Sequence, residues 1–343
     1  MKRRLNNLFF AIGVVAIVVM FFTFDVSFIQ LWEYIKKAGY WLLGILILWF
    51  LLYVLNALSW RTIIRGSGRC SMSFGTLLRF TITGFALNYA TPVGLLGGEA
   101  YKIMNAAQFM DVRRATSSVV LFSMMHIFSH FWFWLTAVVV YLVLACNGYL
   151  VLNAPLSLLL FLTFVFCCGG IYLFVKGYKY GLVAKMLRFV SRIPGLRKWG
   201  ERFTERHRED LLKIDKQISE LQSQNKRSFY ASFFLEYFGR ILQSFEIFFM
   251  LLLFGVNVGD GLWGYMLAFL YSFLILAFTS LFANLLGFLP MQLGGREGGF
   301  AISVIQLGMT GGIAMFVGVI CRLRELFWIS VGMLLMKVGK SCA

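Results

Sequence analysis

Uncharged apolar runs close to ~20 residues long recur along this chain, and that length is what a helix needs to cross a bilayer. Lipid offers the backbone no hydrogen bonds, so spanning segments are helices or closed barrels. The runs are continuous rather than alternating, which selects helices. Six full spans are expected: 5–24, 40–60, 115–145, 156–176, 229–254 and 311–336. The soluble classes are excluded by the same balance, since 14% of residues are charged and 60% hydrophobic, against about 25% charged in a soluble domain.

The charges fall between the runs, 32 basic against 15 acidic, for a net +17. A soluble chain with this excess would suggest nucleic acid; here no nucleic-acid partner is expected, because basic residues beside apolar runs set orientation and draw anionic headgroups. Lys2, Arg3 and Arg4 put the N-terminus inside, and the run after them is too long for a signal peptide. The basic segment 177–228 has 13 Lys/Arg against 6 Asp/Glu and reads as a cytoplasmic connector. Within it Leu211, Ile214, Ile218 and Leu221 form an amphipathic stripe. The loops 146–155 and 255–262 carry no Lys or Arg and read as external, while Lys337 and Lys340 return the C-terminus to the inside.

Two further apolar stretches, 74–110 and 263–308, are interrupted by proline and glycine. Charge bookkeeping makes the first begin and end inside and the second begin and end outside. Each then dips into the membrane as a re-entrant hairpin, after two spans and before one. The expected fold is an all-α polytopic membrane protein: one domain over 1–340, about six transmembrane helices and two re-entrant hairpins, in inverted-repeat halves of about 1–145 and 156–336.

The two interruptions resemble each other. Asn88, Pro92, Gly97, Gly98 and Glu99 mark the first; Asn284, Pro290, Gly294, Gly295, Arg296 and Glu297 mark the second. In both, proline precedes glutamate by seven residues and a glycine pair lies between. Proline ends one half-helix, glycine permits irregular backbone, and a new half-helix begins near each glutamate. Its free N–H groups and positive dipole end suit an anion such as phosphate. The bland alternative is a pair of structural helix breaks.

Ionisable residues at membrane depth are functional candidates. Beside the breaks they are Arg79, Glu99, Lys102, Arg296 and Glu297; in the last span, Arg322, Arg324 and Glu325; in span 229–254, Glu236 and Arg240. Glu236 and Arg240 are four apart and Arg322 and Glu325 three apart, so each pair can meet on one helix face. Arginine offers a two-pronged grip for phosphate oxygens. His126 and His130 have the spacing for a metal or proton relay, but no acid is near in sequence, so packed, hydrogen-bonded histidines are expected. No metal or cofactor is expected: the six cysteines lack ligand spacing, and no nucleotide-binding or hydrolase motif is found.

At Pro92 to Lys102, Pro290 to Glu297 and Arg322 the chain resembles the lysylphosphatidylglycerol synthetase transmembrane-region family, or flippase-like domain, over about 1–340. The resemblance implies a proline–glycine–acid element followed by a basic residue, matched by Glu99 and Lys102. It also implies a second proline–glycine–glutamate element, and an arginine in the last helix, matched by Arg322. Arg296 departs from the commoner pattern. The implied activity is movement of an anionic or aminoacylated phospholipid between leaflets of the inner membrane. Fused members also carry a soluble transferase domain; none is read in these 343 residues, so the expectation is a transporter rather than an enzyme. Two alternatives are an anion channel or exchanger, suggested by Gly295-Arg296-Glu297-Gly298, and a membrane partner of a lipid-modifying enzyme.

Overall fold

The structure is a computed structural model that describes residues 28–90, 96–179, 226–256, 261–285, 295–307 and 311–338. The span 5–24, the stripe in the basic connector, Pro92, Pro290 and Gly294 lie outside the described residues. Ten helices are described: α1 (Phe28–Ala38), α2 (Tyr40–Gly66), α3 (Phe74–Ala90), α4 (Leu96–Ala106), α5 (Val112–Cys146), α6 (Ala154–Lys179), α7 (Lys226–Leu253), α8 (Gly261–Leu285), α9 (Gly295–Gln306) and α10 (Gly311–Val338). No strand occurs among the described residues. The all-α polytopic fold expected from the apolar runs is the fold observed.

Local chemistry starts and stops these helices. Asp111 accepts from the Arg113 amide at 3.0 Å and opens α5. Asn153 accepts from the Leu156 amide at 2.9 Å and opens α6, with Pro155 in the first turn, where its missing N–H costs nothing. Gly39, at φ +48°, separates α1 from α2. The end of α2 and the turn after it are gathered by one guanidinium: Arg114 donates to Ile64 O at 3.0 Å, Gly68 O at 2.7 Å and Arg69 O at 2.9 Å, and to Ser67 Oγ at 2.9 Å.

By length and composition α2, α5, α6 and α8 can cross a membrane. Helices α7 and α10 have 28 residues each, also long enough, but carry charges within their length. The two broken segments differ. Helix α3 has 17 residues, roughly 25 Å, and falls short of the ~30 Å hydrocarbon core. Helix α8 has 25 residues, roughly 37 Å, which is enough to cross fully. Helix α8 is central, with 67% of its most apolar stretch buried; α6 is peripheral, with 22%.

Among these eight helices, exchanging α2, α3, α4 and α5 for α7, α8, α9 and α10 leaves the set of packed pairs unchanged. The α2–α7 pair maps onto itself, α3–α4 onto α8–α9, α4–α5 onto α9–α10, and α2–α3 onto α7–α8. The crossed pairs behave likewise: α3–α10 maps onto α8–α5, α2–α10 onto α7–α5, and α2–α5 onto α7–α10. Small residues make the close crossings, as expected where packing rather than hydrophobicity joins helices. A Cβ on Gly98 would strike the Gly84 carbonyl oxygen of α3. A Cβ on Gly299 would sit 3.1 Å from Thr279 Cα of α8, and one on Gly332 would sit 2.5 Å from Ala86 Cβ.

Candidate functional site

The first broken segment closes on itself through side chains. Helix α3 ends at Ala90 and α4 begins at Leu96, so the first-turn amides of α4 need acceptors. Asn88, in the last turn of α3, supplies one: its Oδ1 accepts from the Gly98 amide at 2.8 Å, while its Nδ2 lies 3.5 Å from Glu99 Oε1. One turn on, Lys102 Nζ meets the same Glu99 oxygen at 3.1 Å. Lys102 is 1% exposed. Its stem lies across the bare face of Gly84, and its ammonium sits 4.9 Å from the Phe122 ring and 5.7 Å from that of Phe85. Glu99 Oε2 is buried and has no hydrogen-bond partner among the described residues.

Beyond those two rings lies a second charged group. The His126 ring is 6.0 Å from Phe85 and 6.5 Å from Phe122. Glu236 Oε2 is 2.8 Å from His126 Nδ1, and Arg240 Nη2 is 2.6 Å from Nε2. The same Nη2 is 3.0 Å from Nδ1, so the guanidinium lies against the ring; an ionised Glu236 only accepts, which puts the ring hydrogen on Nδ1. Glu236 and Arg240 share a helix face, as their spacing required, but both are tied to His126. His126 is therefore hydrogen-bonded as expected, through an acid 110 positions away in the chain. Glu236 Oε1 and Arg240 Nε are buried without partners among the described residues.

A third group follows. Glu246 Oε1 accepts from Arg324 Nε at 2.9 Å, and Oε2 from Arg324 Nη2 at 3.3 Å and from Trp49 Nε1 at 2.9 Å. The guanidinium lies 3.7 Å from the Trp49 ring centroid and also meets Glu325 Oε1 at 3.3 Å. Tyr53 links this group to the others, with its ring 5.9 Å from that of Trp49 and 5.4 Å from that of Phe85. His126, Arg240 and Arg324 each stand near the middle of a long helix. A line of charge and aromatic rings thus runs through the bundle.

The remaining expected residues are placed as follows. Arg79, on α3, rests against Phe80, and its Nε is buried without a partner among the described residues. Gly97 lies in the first turn of α4. Asn284 donates to Ser280 O at 2.7 Å in the last turn of α8. Gly295, Arg296 and Glu297 open α9, and their side chains lie outside the described set. Arg322 is half-buried on α10, and Arg324 meets Glu325 at 3.3 Å. Glu246 and Trp49 were absent from the sequence-based candidates.

Long helices, a hairpin broken inside the bundle and paired charges at mid-depth define a polytopic helical membrane domain. Residues 8–332 match the family model described as Lysylphosphatidylglycerol synthase TM region, and the chain belongs to that family. No curated protein and no solved structure matches it.

Proposed function

We propose that this chain moves a phosphate-bearing lipid headgroup between membrane leaflets, with the acyl chains left in the bilayer. The observation that carries the reading is a set of basic groups with donors left over: Arg79 Nε and Arg240 Nε are buried without a partner among the described residues, and Lys102 Nζ, on the same helix pair as Arg79, meets Glu99 Oε1 at 3.1 Å and has further hydrogens to give. Charges at mid-membrane are costly and persist where they serve a pathway, and orphaned buried polar atoms need an account. A phosphate offers several acceptor oxygens to the fork of Arg240 and the ammonium of Lys102. The exchange symmetry of the packed pairs supports inverted halves around a central site. Family membership points the same way.

On this reading the ligand is an anionic or aminoacylated phospholipid, and the chain contributes translocation rather than bond chemistry. A lipid-modifying enzyme is the natural supplier of substrate. The basic termini and connector put both chain ends in the cytoplasm, in the inner membrane. The test is reconstitution with fluorescent phosphatidylglycerol and dithionite quenching of the outer leaflet. Protein-containing vesicles lose nearly all fluorescence if lipid crosses. A plateau near half, equal to protein-free vesicles, refutes the reading.

A further inference from the structure

We propose that His126, Glu236 and Arg240 couple this movement to protons, one proton being taken up on His126 each time Arg240 leaves it for a lipid phosphate. The inference rests on the reading of the chain as a lipid translocator.

The geometry makes proton and guanidinium mutually exclusive. A neutral imidazole has one donor and one acceptor. Both ring nitrogens face charge: Nδ1 lies 2.8 Å from Glu236 Oε2, and Arg240 Nη2 lies 2.6 Å from Nε2 and 3.0 Å from Nδ1, so the guanidinium sits against the ring itself. A second ring proton would set an imidazolium against the guanidinium at that separation, so Arg240 must move away. The converse also holds. When Arg240 leaves, Glu236 loses its nearby cation, and a second ring proton restores an imidazolium–carboxylate pair. The His126 side chain is 20% exposed and that of Glu236 2%, so the proton arrives on the ring.

Arg240 is loosely held apart from this contact. Its Nη1 lies 3.5 Å from Gln243 Oε1, and its Nε has no partner among the described residues. Among the described residues no other cation is in contact with Glu236. On the histidine's own helix His130 is a ring neighbour at 5.4 Å. Lys102 of α4 stands behind Phe85 and Phe122 and is paired with Glu99. Tyr89 of α3 lies within electrostatic reach of Arg240. Helices α2, α6 and α8 present Trp60, Phe174 and Ser280 to α5.

The balance is simple. Before exchange Glu236 is neutralised by Arg240; afterwards it is neutralised by protonated His126, and Arg240 neutralises the phosphate. One proton and one lipid monoanion are bound together, so their joint crossing carries no net charge. No covalent bond other than Nε2–H forms.

The experiment uses the full chain in phosphatidylcholine vesicles holding fluorescent phosphatidylglycerol, with the membrane potential clamped and a pH dye inside. With one proton per lipid, a gradient of one pH unit is expected to raise the rate of movement in the direction of proton flow about tenfold. The dye should report proton entry that depends on added lipid. In His126→Gln, whose amide can accept from Arg240 and donate to Glu236 but does not titrate here, the ratio of rates with and without the gradient falls to about one. Wild-type movement that ignores the gradient and brings no protons overturns the coupling while leaving translocation intact. A His126→Gln ratio that stays near ten also overturns it. Absence of wild-type movement under every condition defeats the translocation reading and this inference with it. Should the variant fail to fold, the wild-type gradient response and dye signal decide.

Discussion

Glu246 of α7 and Arg324 of α10 meet through two hydrogen bonds, at 2.9 and 3.3 Å, with both side chains 1% exposed. Charges this deep are tolerated because each is matched: Arg324 also reaches Glu325 and lies over Trp49, and Glu246 also accepts from Trp49. Removing one partner of a buried pair leaves an uncompensated charge, typically costing about 3–5 kcal/mol. Glu246→Ala is expected at the lower end, about 3 kcal/mol, because Glu325 still faces Arg324. Thermal unfolding in detergent, followed by size-exclusion recovery, should show a clearly lowered midpoint. Adding Arg324→Met to Glu246→Ala should recover part of the loss, the non-additivity expected of residues in contact.

The α3–α4 crossing gives a second expectation. A methyl at position 98 would collide with the Gly84 backbone oxygen, which has no rotamer with which to escape. Gly98→Ala is therefore expected to destabilise by about 2 kcal/mol or more, despite the better helix propensity of alanine. Gly44→Ala is the control: it lies in α2 with nothing within 4 Å of an added Cβ and should be neutral or stabilising by about 0.5–1 kcal/mol. Thermal midpoints of the two variants should move in opposite directions.

Arg114 tests how the end of α2 is held. Its guanidinium makes four hydrogen bonds to residues 64–69. Arg114→Lys keeps the charge but replaces a planar fork by a point donor, so most of those contacts are lost. Hydrogen exchange at Ser67, Gly68 and Arg69 should quicken at least tenfold, while exchange in the middle of α5 stays slow. Unchanged protection at the end of α2 would show that the cap is dispensable.

Much of the fold was legible because membrane helices must satisfy their own backbones, so uncharged length alone marks α2, α5 and α6. The proline at 92 lies outside the described residues, between α3 (Phe74–Ala90) and α4 (Leu96–Ala106). The site was less legible, since its bonds join distant positions. No local pattern links His126 to Glu236, and only packing of α5 on α7 does so. Arg322 and Arg324 lie two residues apart, on nearly opposite helix faces, so one points inward and periodicity alone does not say which. Glu246 did carry a signal: a carboxylate inside Phe245–Met250, an otherwise apolar run, is as costly as Glu236 and merits the same suspicion.

The most direct measurement is the transbilayer rate of fluorescent phosphatidylglycerol in vesicles carrying wild-type protein, Lys102→Ala, Arg240→Ala, or Leu43→Ala on the exposed outer face of α2. If the buried cations receive the phosphate, the first two variants slow movement about tenfold or more, in line with loss of a charge-assisted contact, and Leu43→Ala matches wild type. Full wild-type rates in Lys102→Ala and Arg240→Ala, both folded and inserted, would contradict the account and put the lipid path elsewhere.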